Sequence, residues 1–268
     1  MQIHPVPQQR IIEKMNAYMG RRDYAGAERH LLYWLEEALQ GNDLRGQLML
    51  RNELIGHFRK TRNREEALRN VDEALHLLEV LDFDNSVSAG TTYVNAGTAC
   101  NAFGEFRRAE DLFEKARKIY EETSSPEPQF LGGLYNNMAL NCVSIAKAMD
   151  SEKESQYWFG RAFDLYGKAL EQMRKVPNGE LEQAVTWLNM TDALEGRDGP
   201  EAAEKEINAC LDTAYELLKT PSVPRDGYYA FVCEKCAPAF SYHGYFLAAE
   251  ELKNLSAEIY KTRQEVEN

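Results

Sequence analysis

The sequence predicts an all-helical protein, an α-solenoid of about six helical hairpins. Three observations support this prediction. A unit that is clearest between Tyr93 and Ala116 recurs along the chain in one frame, and self-similarity of this kind is typical of repeat architectures. No run of alternating apolar and polar residues competes as a β-strand. Prolines fall just past several expected second helices, where a helix has to stop: Pro126 with Pro128, Pro177, and Pro221 with Pro224.

The recurring unit has small residues where helices must approach closely and large residues where space must be filled. In the clearest copy, Gly97 is the small residue of the first helix, and Ala109 and Ala116 flank Phe113 on the second. A hairpin of this pattern cannot bury its apolar face alone, so successive hairpins must stack. The position of Ala109 recurs at Ala27, Ala67, Ala162, Ala203 and Ala249.

The last copy of the unit departs from the pattern. After Ala249, Lys253 stands where an aromatic residue is usual, and Ser256 stands where an alanine is usual. The sequence then turns polar from Lys261 to Asn268. Because terminal repeats of a solenoid need a polar outer face, we expect the sixth hairpin to close the array.

The unit resembles the tetratricopeptide repeat (TPR), whose pattern is an aromatic residue, a Leu-Gly pair, a second aromatic residue and then Ala-x3-Phe. Tyr93, Gly97 and Phe113 stand at equivalent positions. The usual TPR period is about 34 residues, whereas the alanines of the frame are 40, 42, 53, 41 and 46 residues apart. We therefore expect extended helices, and the long period resembles the TPR arrays of kinesin light chains and of bacterial Rap-type peptide-pheromone receptors.

The resemblance implies about twelve helices in antiparallel pairs that wind into a right-handed superhelix. No linker or low-complexity stretch divides the chain, so we expect a single domain over residues 1–268. The fourth hairpin carries an insertion near residues 146–157, which we predict to lengthen its helices. The predicted hairpins span residues 8–40, 44–81, 85–122, 127–174, 178–219 and 224–265.

The composition argues against two classes of partner. A net charge of −12 repels phosphate backbones, so we expect no nucleic acid to bind. The mean hydropathy is −0.55, and no apolar run reaches the roughly 18 residues of a membrane-spanning helix, so we expect no membrane association. The segment from Met1 to Pro7 lacks the form of a secretory signal, which favours a cytoplasmic location.

In TPR arrays the first helix of each hairpin lines a concave groove, so the resemblance places ligand binding there. Asn95, Asn137 and Asn189 share one repeat position, two residues after an aromatic residue. An amide both donates and accepts hydrogen bonds, which suits it to the backbone of an extended peptide. Asparagine ladders of this kind are a feature of several peptide-binding TPR families. The alternative is that these amides satisfy backbone groups or face water. The other groove candidates are Asn52, Glu53, Thr91, Thr98, Asn101, Asn136, Asn141, Asp192 and Lys235.

The cysteines raise the question of a metal or redox site. Cys233 and Cys236 form a Cys-x-x-Cys motif with His243 nearby, which could be half of a zinc site or a redox pair. However, both stand at buried repeat positions of a first helix, and no second motif completes a set of four ligands. This favours packing, since free cysteine behaves as a small core residue. We predict no metal and no cofactor.

The sequence contains no phosphate-binding loop, nucleophile elbow or Ser-His-Asp order, so we expect no enzymatic activity and no catalytic residues. The repeats instead predict a scaffold that binds a protein or an extended peptide in its groove. One alternative is a peptide-sensing regulatory receptor of Rap-like type, although repeats that begin near residue 8 leave no room ahead of them for an effector domain. Another is an assembly module whose groove is filled by a second copy, which would make a homo-oligomer.

Overall fold

A computed structural model describes residues 3–83, 86–122 and 127–266, and the regular structure of these residues is entirely helical. It forms twelve α-helices, and each odd-numbered helix packs against the next to make a hairpin, which confirms the predicted fold class. The helices are α1 (Gln8–Gly20), α2 (Tyr24–Gln40), α3 (Leu44–Lys60), α4 (Arg64–Val80), α5 (Val87–Ala102), α6 (Phe106–Glu122), α7 (Pro128–Lys147), α8 (Glu152–Met173), α9 (Glu180–Asp198), α10 (Pro200–Leu218), α11 (Gly227–Tyr242) and α12 (Phe246–Val266).

The chain divides into two compact units, Met1–Ser125 and Pro126–Asn268. In unit 1 the first helices α3 and α5 pack side by side, and in unit 2 α7, α9 and α11 do so in succession. The single domain and the right-handed superhelix stay predictions. Pro126, one of the predicted junction prolines, lies outside the described residues, as do the last two residues of the polar tail.

Tight turns explain how one helix folds back onto the next. Arg62 has a positive φ of 59°, and the N–H of Asn63 donates to the carbonyl of Phe58 at 2.9 Å. This arrangement satisfies a carbonyl that the helix end would leave unpaired, and it reverses the chain within three residues. A positive φ also occurs at Arg22, Asn42, Asp82, Gly104 and Gly244, and in each case the N–H of the following residue donates to the carbonyl five residues before it.

The buried frame predicted from the sequence forms the core of each hairpin. Gly97 shows why the small position is needed, since a Cβ atom there would lie 2.7 Å from the ring of Phe113 on the paired helix. In the last hairpin Lys253 is exposed, as its polar character suggests, whereas Ser256 is buried. The alanines of the frame are buried in every hairpin: Ala27, Ala67, Ala109, Ala162, Ala203 and Ala249.

Helix boundaries differ from the predicted ones where a cap overrides the apolar pattern. Helix α11 begins at Gly227 because the Asp226 carboxylate accepts hydrogen bonds from the N–H groups of Tyr228 (2.9 Å) and Tyr229 (3.0 Å). Helix α9 continues to Asp198 and ends before Gly199, whose φ is 84°. The insertion lengthens α7 and α8 to 20 and 22 residues, which confirms that prediction.

None of the helices among the described residues combines the length and the apolar composition that a membrane span requires.

Candidate functional site

The predicted binding residues lie on the first helices of the hairpins. They form one group on the surface of unit 1 and one group on the surface of unit 2. We call the exposed surface of α3 and α5 the unit 1 face. The exposed surface of α9 and α11, with the adjoining part of α7, is the unit 2 face. The unit 1 face carries Asn52, Thr91, Asn95 and Thr98, and the unit 2 face carries Asn136, Asn137, Asn189 and Asp192.

On the unit 1 face, an asparagine side chain of α3 is hydrogen-bonded to an asparagine side chain of α5. The Asn95 side chain donates from Nδ2 to Asn52 Oδ1 at 3.0 Å. Asn52 in turn donates to the carbonyl of Leu48 at 2.9 Å and to Thr92 Oγ1 at 3.0 Å, so both of its N–H groups are used. Among the described residues this is the one side-chain hydrogen bond of Asn95. Its second N–H and its carbonyl oxygen therefore remain as capacity for a ligand.

An open cavity of about 490 Å³ lies beside this pair of amides. Its wall carries both signs of charge. Arg45 places its guanidinium 5.0 Å from the centre of the Phe83 ring, and burial raises the pKa of the Glu53 carboxyl above its usual value. Thr91 lines the cavity and its hydroxyl lies 3.2 Å from the Tyr120 hydroxyl.

Thr98 differs from the other candidates of the unit 1 face. Its hydroxyl donates to the carbonyl of Val94 in its own helix at 2.7 Å. Threonine commonly satisfies its hydroxyl in this way inside a helix, so the one O–H of Thr98 is already used. The structure brings together Asn52, Thr91 and Asn95 at the cavity wall and gives Thr98 a local partner.

The unit 2 face repeats the bridged pair of amides. Asn189 of α9 donates from Nδ2 to Asn136 Oδ1 of α7 at 3.0 Å, beside an open cavity of about 330 Å³. Asp192 lines the same cavity and forms an ion pair with Lys147 at 2.6 Å. Asn137 is half-buried on α7, and its amide has no hydrogen-bond partner among the described residues.

Three exposed aromatic side chains of α11 were missed by the sequence reasoning, which assigned most aromatic residues to the core. Tyr228, Phe231 and Tyr242 are 50%, 42% and 71% exposed. Together with Lys235 they recur at intervals of three, four and seven residues, which places them on one side of a helix. The signal was therefore present in the sequence, because Cys233 and Cys236 define the opposite, buried side.

Two of these aromatic side chains donate hydrogen bonds to carboxylates of α9. The hydroxyl of Tyr228 donates to Glu182 Oε1 and the hydroxyl of Tyr242 donates to Glu195 Oε1, each at 2.8 Å. Burial and the neighbouring Glu182 raise the pKa of Tyr228, and the hydrogen bond to Glu195 raises the pKa of Tyr242. Both phenols therefore remain protonated donors at neutral pH.

The Cys-x-x-Cys motif lies inside the hairpin of α11 and α12. Cys233 and Cys236 are buried, and neither forms a disulfide. Burial raises the pKa of the Cys236 thiol to about 12, which disfavours the thiolate that a metal or a redox reaction needs. No group of three or more potential metal ligands occurs in the described part of the chain. That the protein holds no metal stays a prediction.

A family model described as tetratricopeptide repeat matches residues 47–122, which run from within α3 to the end of α6. This match covers 76 of the 268 residues and identifies this segment, with its paired helices, as tetratricopeptide repeats, a class of repeat that generally serves as a scaffold for protein interactions. No curated protein matches the sequence. Among solved structures, the crystal structure of BtubC (BKLC) from P. vanneervenii is similar, with 16% identity, a TM-score of 0.49, and coverage of 97% of this chain and 93% of that chain.

Proposed function

We propose that the chain is a non-enzymatic scaffold that binds an extended segment of a partner protein on its first-helix faces. One observation carries this proposal. In each unit an asparagine of one first helix holds an asparagine of the next beside an open cavity, as Asn52 holds Asn95 and Asn136 holds Asn189. A held amide keeps donor and acceptor capacity for the unpaired N–H and C=O groups of an extended backbone.

The residue type itself supports a binding role. Asparagine is a poor helix former, and an apolar side chain at a half-buried position would pack without needing a partner. The amides of Asn95 and Asn189 are half-buried and oriented by a hydrogen bond. Orientation in advance lowers the entropy that ligand binding would otherwise cost.

The cysteines support a reducing compartment for this scaffold. All five are free and buried, as is usual for proteins of the cytoplasm. We therefore propose a cytoplasmic location.

Peptide selection tests the proposal directly. A displayed library of random twelve-residue peptides is selected on the immobilised full-length chain, and enriched peptides are synthesised with a fluorophore for anisotropy titrations. Asn95→Ala or Asn189→Ala should weaken the peptides that occupy its face by about 2- to 12-fold, since one hydrogen bond contributes about 0.5–1.5 kcal/mol. The triple variant that also carries Asn137→Ala should weaken binding further, with helicity and Tm nearly unchanged.

An exposed asparagine of a second helix, Asn254 of α12, supplies the matched control. Asn254→Ala should leave the Kd of every selected peptide unchanged. A selection that enriches no binding peptide would contradict the proposal. So would selected peptides whose Kd values are the same for the wild type and the triple variant. A triple variant that unfolds would instead assign the asparagines to structure.

The alternative functions predict other results. A self-associating module would form a dimer in light scattering, and selected peptides would dissociate that dimer. A peptide-sensing receptor of Rap-like type would bind one short secreted peptide far more tightly than its scrambled version. Neither result is expected if the faces bind segments of a partner protein.

A further inference from the structure

We propose that the unit 2 face binds a segment that carries two basic side chains about six residues apart, with small or apolar residues between them. This inference rests on the proposed function and specifies the ligand of one face. It is carried by the exposed aromatic rings of α11 and by two carboxylates of α9 that accept hydrogen bonds from two of these rings, one toward each end of the contact between the helices. We call the surface along this contact, with the cavity at its middle, the furrow.

Two aromatic rings of α11 form a continuous exposed surface at one end of the furrow. Another exposed aromatic ring of α11 lies at the other end. Tyr228 and Phe231 are stacked, with ring centres 6.3 Å apart and planes inclined by 24°. Tyr242 lies at the far end of α11 and lines the cavity. Exposed aromatic side chains aligned on one side of a helix are costly to leave in water and are enriched where proteins bind one another.

Each end of the furrow also presents a carboxylate. Glu182 accepts a hydrogen bond from Tyr228, and Glu195 accepts one from Tyr242. A neutral hydroxyl fixes the position of a carboxylate without cancelling its charge, so each glutamate can still accept from a guanidinium or an ammonium group. A cation at either position would also lie close to an aromatic ring, which attracts it further. The two ends are therefore suited to basic side chains.

The middle of the furrow adds one carboxylate, which is already paired, and is partly apolar. Asp192 is already paired with Lys147 at 2.6 Å, and Lys235 lies in the same cavity wall. Burial lowers the pKa of His243, against the opposing effect of nearby Glu195 and Asp192, so the imidazole is neutral near pH 7. Ligand residues between the two basic ones should therefore carry no positive charge. The apolar part of the wall consists of Leu140, Val185, Leu188 and Ala239.

The separation of the two carboxylates sets the spacing in the ligand. Glu182 and Glu195 are 13 residues apart on α9, or roughly 20 Å along the axis at about 1.5 Å per residue. An extended chain covers this distance in about six residues. The net charge of −12 adds a long-range attraction for such a segment.

The test uses the same displayed library on the full-length chain and on the double variant Glu182→Gln/Glu195→Gln. Glutamine keeps an acceptor for each tyrosine hydroxyl, so the variant should fold, which circular dichroism checks. Peptides selected on the wild type should be enriched in pairs of arginine or lysine about six residues apart. Their Kd should rise by about 2- to 30-fold in the double variant, since each exposed ion pair contributes about 0.2–1 kcal/mol. Binding to the wild type should weaken as salt is raised, and binding to the double variant should respond less.

The control is Glu204→Gln/Glu250→Gln, which removes the same charge from exposed positions of α10 and α12 and should leave the Kd unchanged. Selected peptides would overturn this inference if they show no enrichment in basic residues and bind Glu182→Gln/Glu195→Gln as tightly as the wild type. If the same peptides depend on Asn189, the proposed function is still supported. A selection without any binding peptide would overturn both. A dimer in light scattering that is abolished by Tyr242→Ser would assign the furrow to a second copy and overturn the inference.

Discussion

Ser256 stands where earlier hairpins carry a buried alanine, such as Ala116 or Ala169. Its side chain is 3% exposed, and its Oγ has no hydrogen-bond partner among the described residues. A buried hydroxyl without a partner costs about 1–3 kcal/mol. We therefore expect Ser256→Ala to raise the free energy of unfolding by about 1 kcal/mol in a urea titration. The exposed Ser88 supplies the control, since Ser88→Ala should change this free energy much less. A loss of stability in Ser256→Ala would show that the hydroxyl is satisfied.

The cysteines are the second feature that can be tested at the scale of single residues. Burial raises the pKa of Cys100 and of Cys210 to about 11 and that of Cys236 to about 12. At pH 8 these thiols are protonated and shielded, so we expect DTNB to label them quickly only after the chain is unfolded in urea. Fast labelling of the native protein, or zinc in elemental analysis of protein purified without added metal, would contradict a purely structural role.

The same thiols make stability depend on pH. Their pKa values are higher in the folded chain than in the unfolded one, where a thiol titrates near its ordinary value of about 9. The folded state therefore holds more protons above that pH. The contribution of these thiols is complete below about pH 9 and is lost as the pH rises through about 11. Urea midpoints should fall over this range, and less so in Cys210→Ala.

Sequence reasoning named all of these asparagines as candidates but did not predict which of them form hydrogen bonds with each other. The repeat frame placed Asn95 and Asn189 on first helices because buried positions on either side of them are fixed by the pattern. Their hydrogen-bond partners, Asn52 and Asn136, are 43 and 53 residues away. Whether two such amides meet depends on the rotation and the separation of neighbouring helices, which a repeat pattern leaves undetermined.

At the scale of the helix pair, the small position of the frame controls stability. A Cβ atom on Gly97 would contact the Phe113 ring at 2.7 Å, closer than the packed core allows. We expect Gly97→Val to lower the free energy of unfolding by about 1–3 kcal/mol. Gly167 of α8 is the matched control because no atom lies within 4 Å of its Cβ position. Equal melting temperatures for Gly97→Val and Gly167→Val would contradict the close packing of α5 and α6.

The sequence determined most helix boundaries through the same signals that fix them physically. Helix α3 begins at the predicted start of its hairpin, because the capping residue Asp43 coincides with the start of the apolar pattern. The prediction failed where two signals compete. Pro224 suggested an earlier start of α11, but Asp226 supplies the hydrogen bonds that decide it.

The charge of the whole molecule leads to a further prediction. With 43 acidic and 31 basic residues, the chain should not bind a labelled DNA duplex at about 0.15 M salt, where contacts between lysine or arginine and phosphate supply non-specific binding. Fluorescence anisotropy of the duplex should remain constant as protein is added. An increase that disappears at higher salt would contradict the prediction.

The sequence also predicted the number of helices and their pairing. It could do so because each hairpin carries its own copy of the buried frame, from Ala27 to Ala249. It did not indicate the division into two compact units, because the Ser- and Pro-rich stretch at residues 123–128 resembles the other junctions between hairpins. Such a division depends on how many contacts cross between neighbouring hairpins. The residue pattern within each hairpin does not determine that number.

The positive-φ turns have a consequence for how an array of this kind can change its length. After Arg22, Asn42, Arg62, Gly104 and Gly244 the next helix begins two residues later. Asn42 joins one hairpin to the next, whereas the other four join the two helices within a hairpin. The chain thus uses one kind of junction at both levels. A gene duplication that breaks at these junctions can therefore rejoin whole hairpins through a native turn, without a new linker.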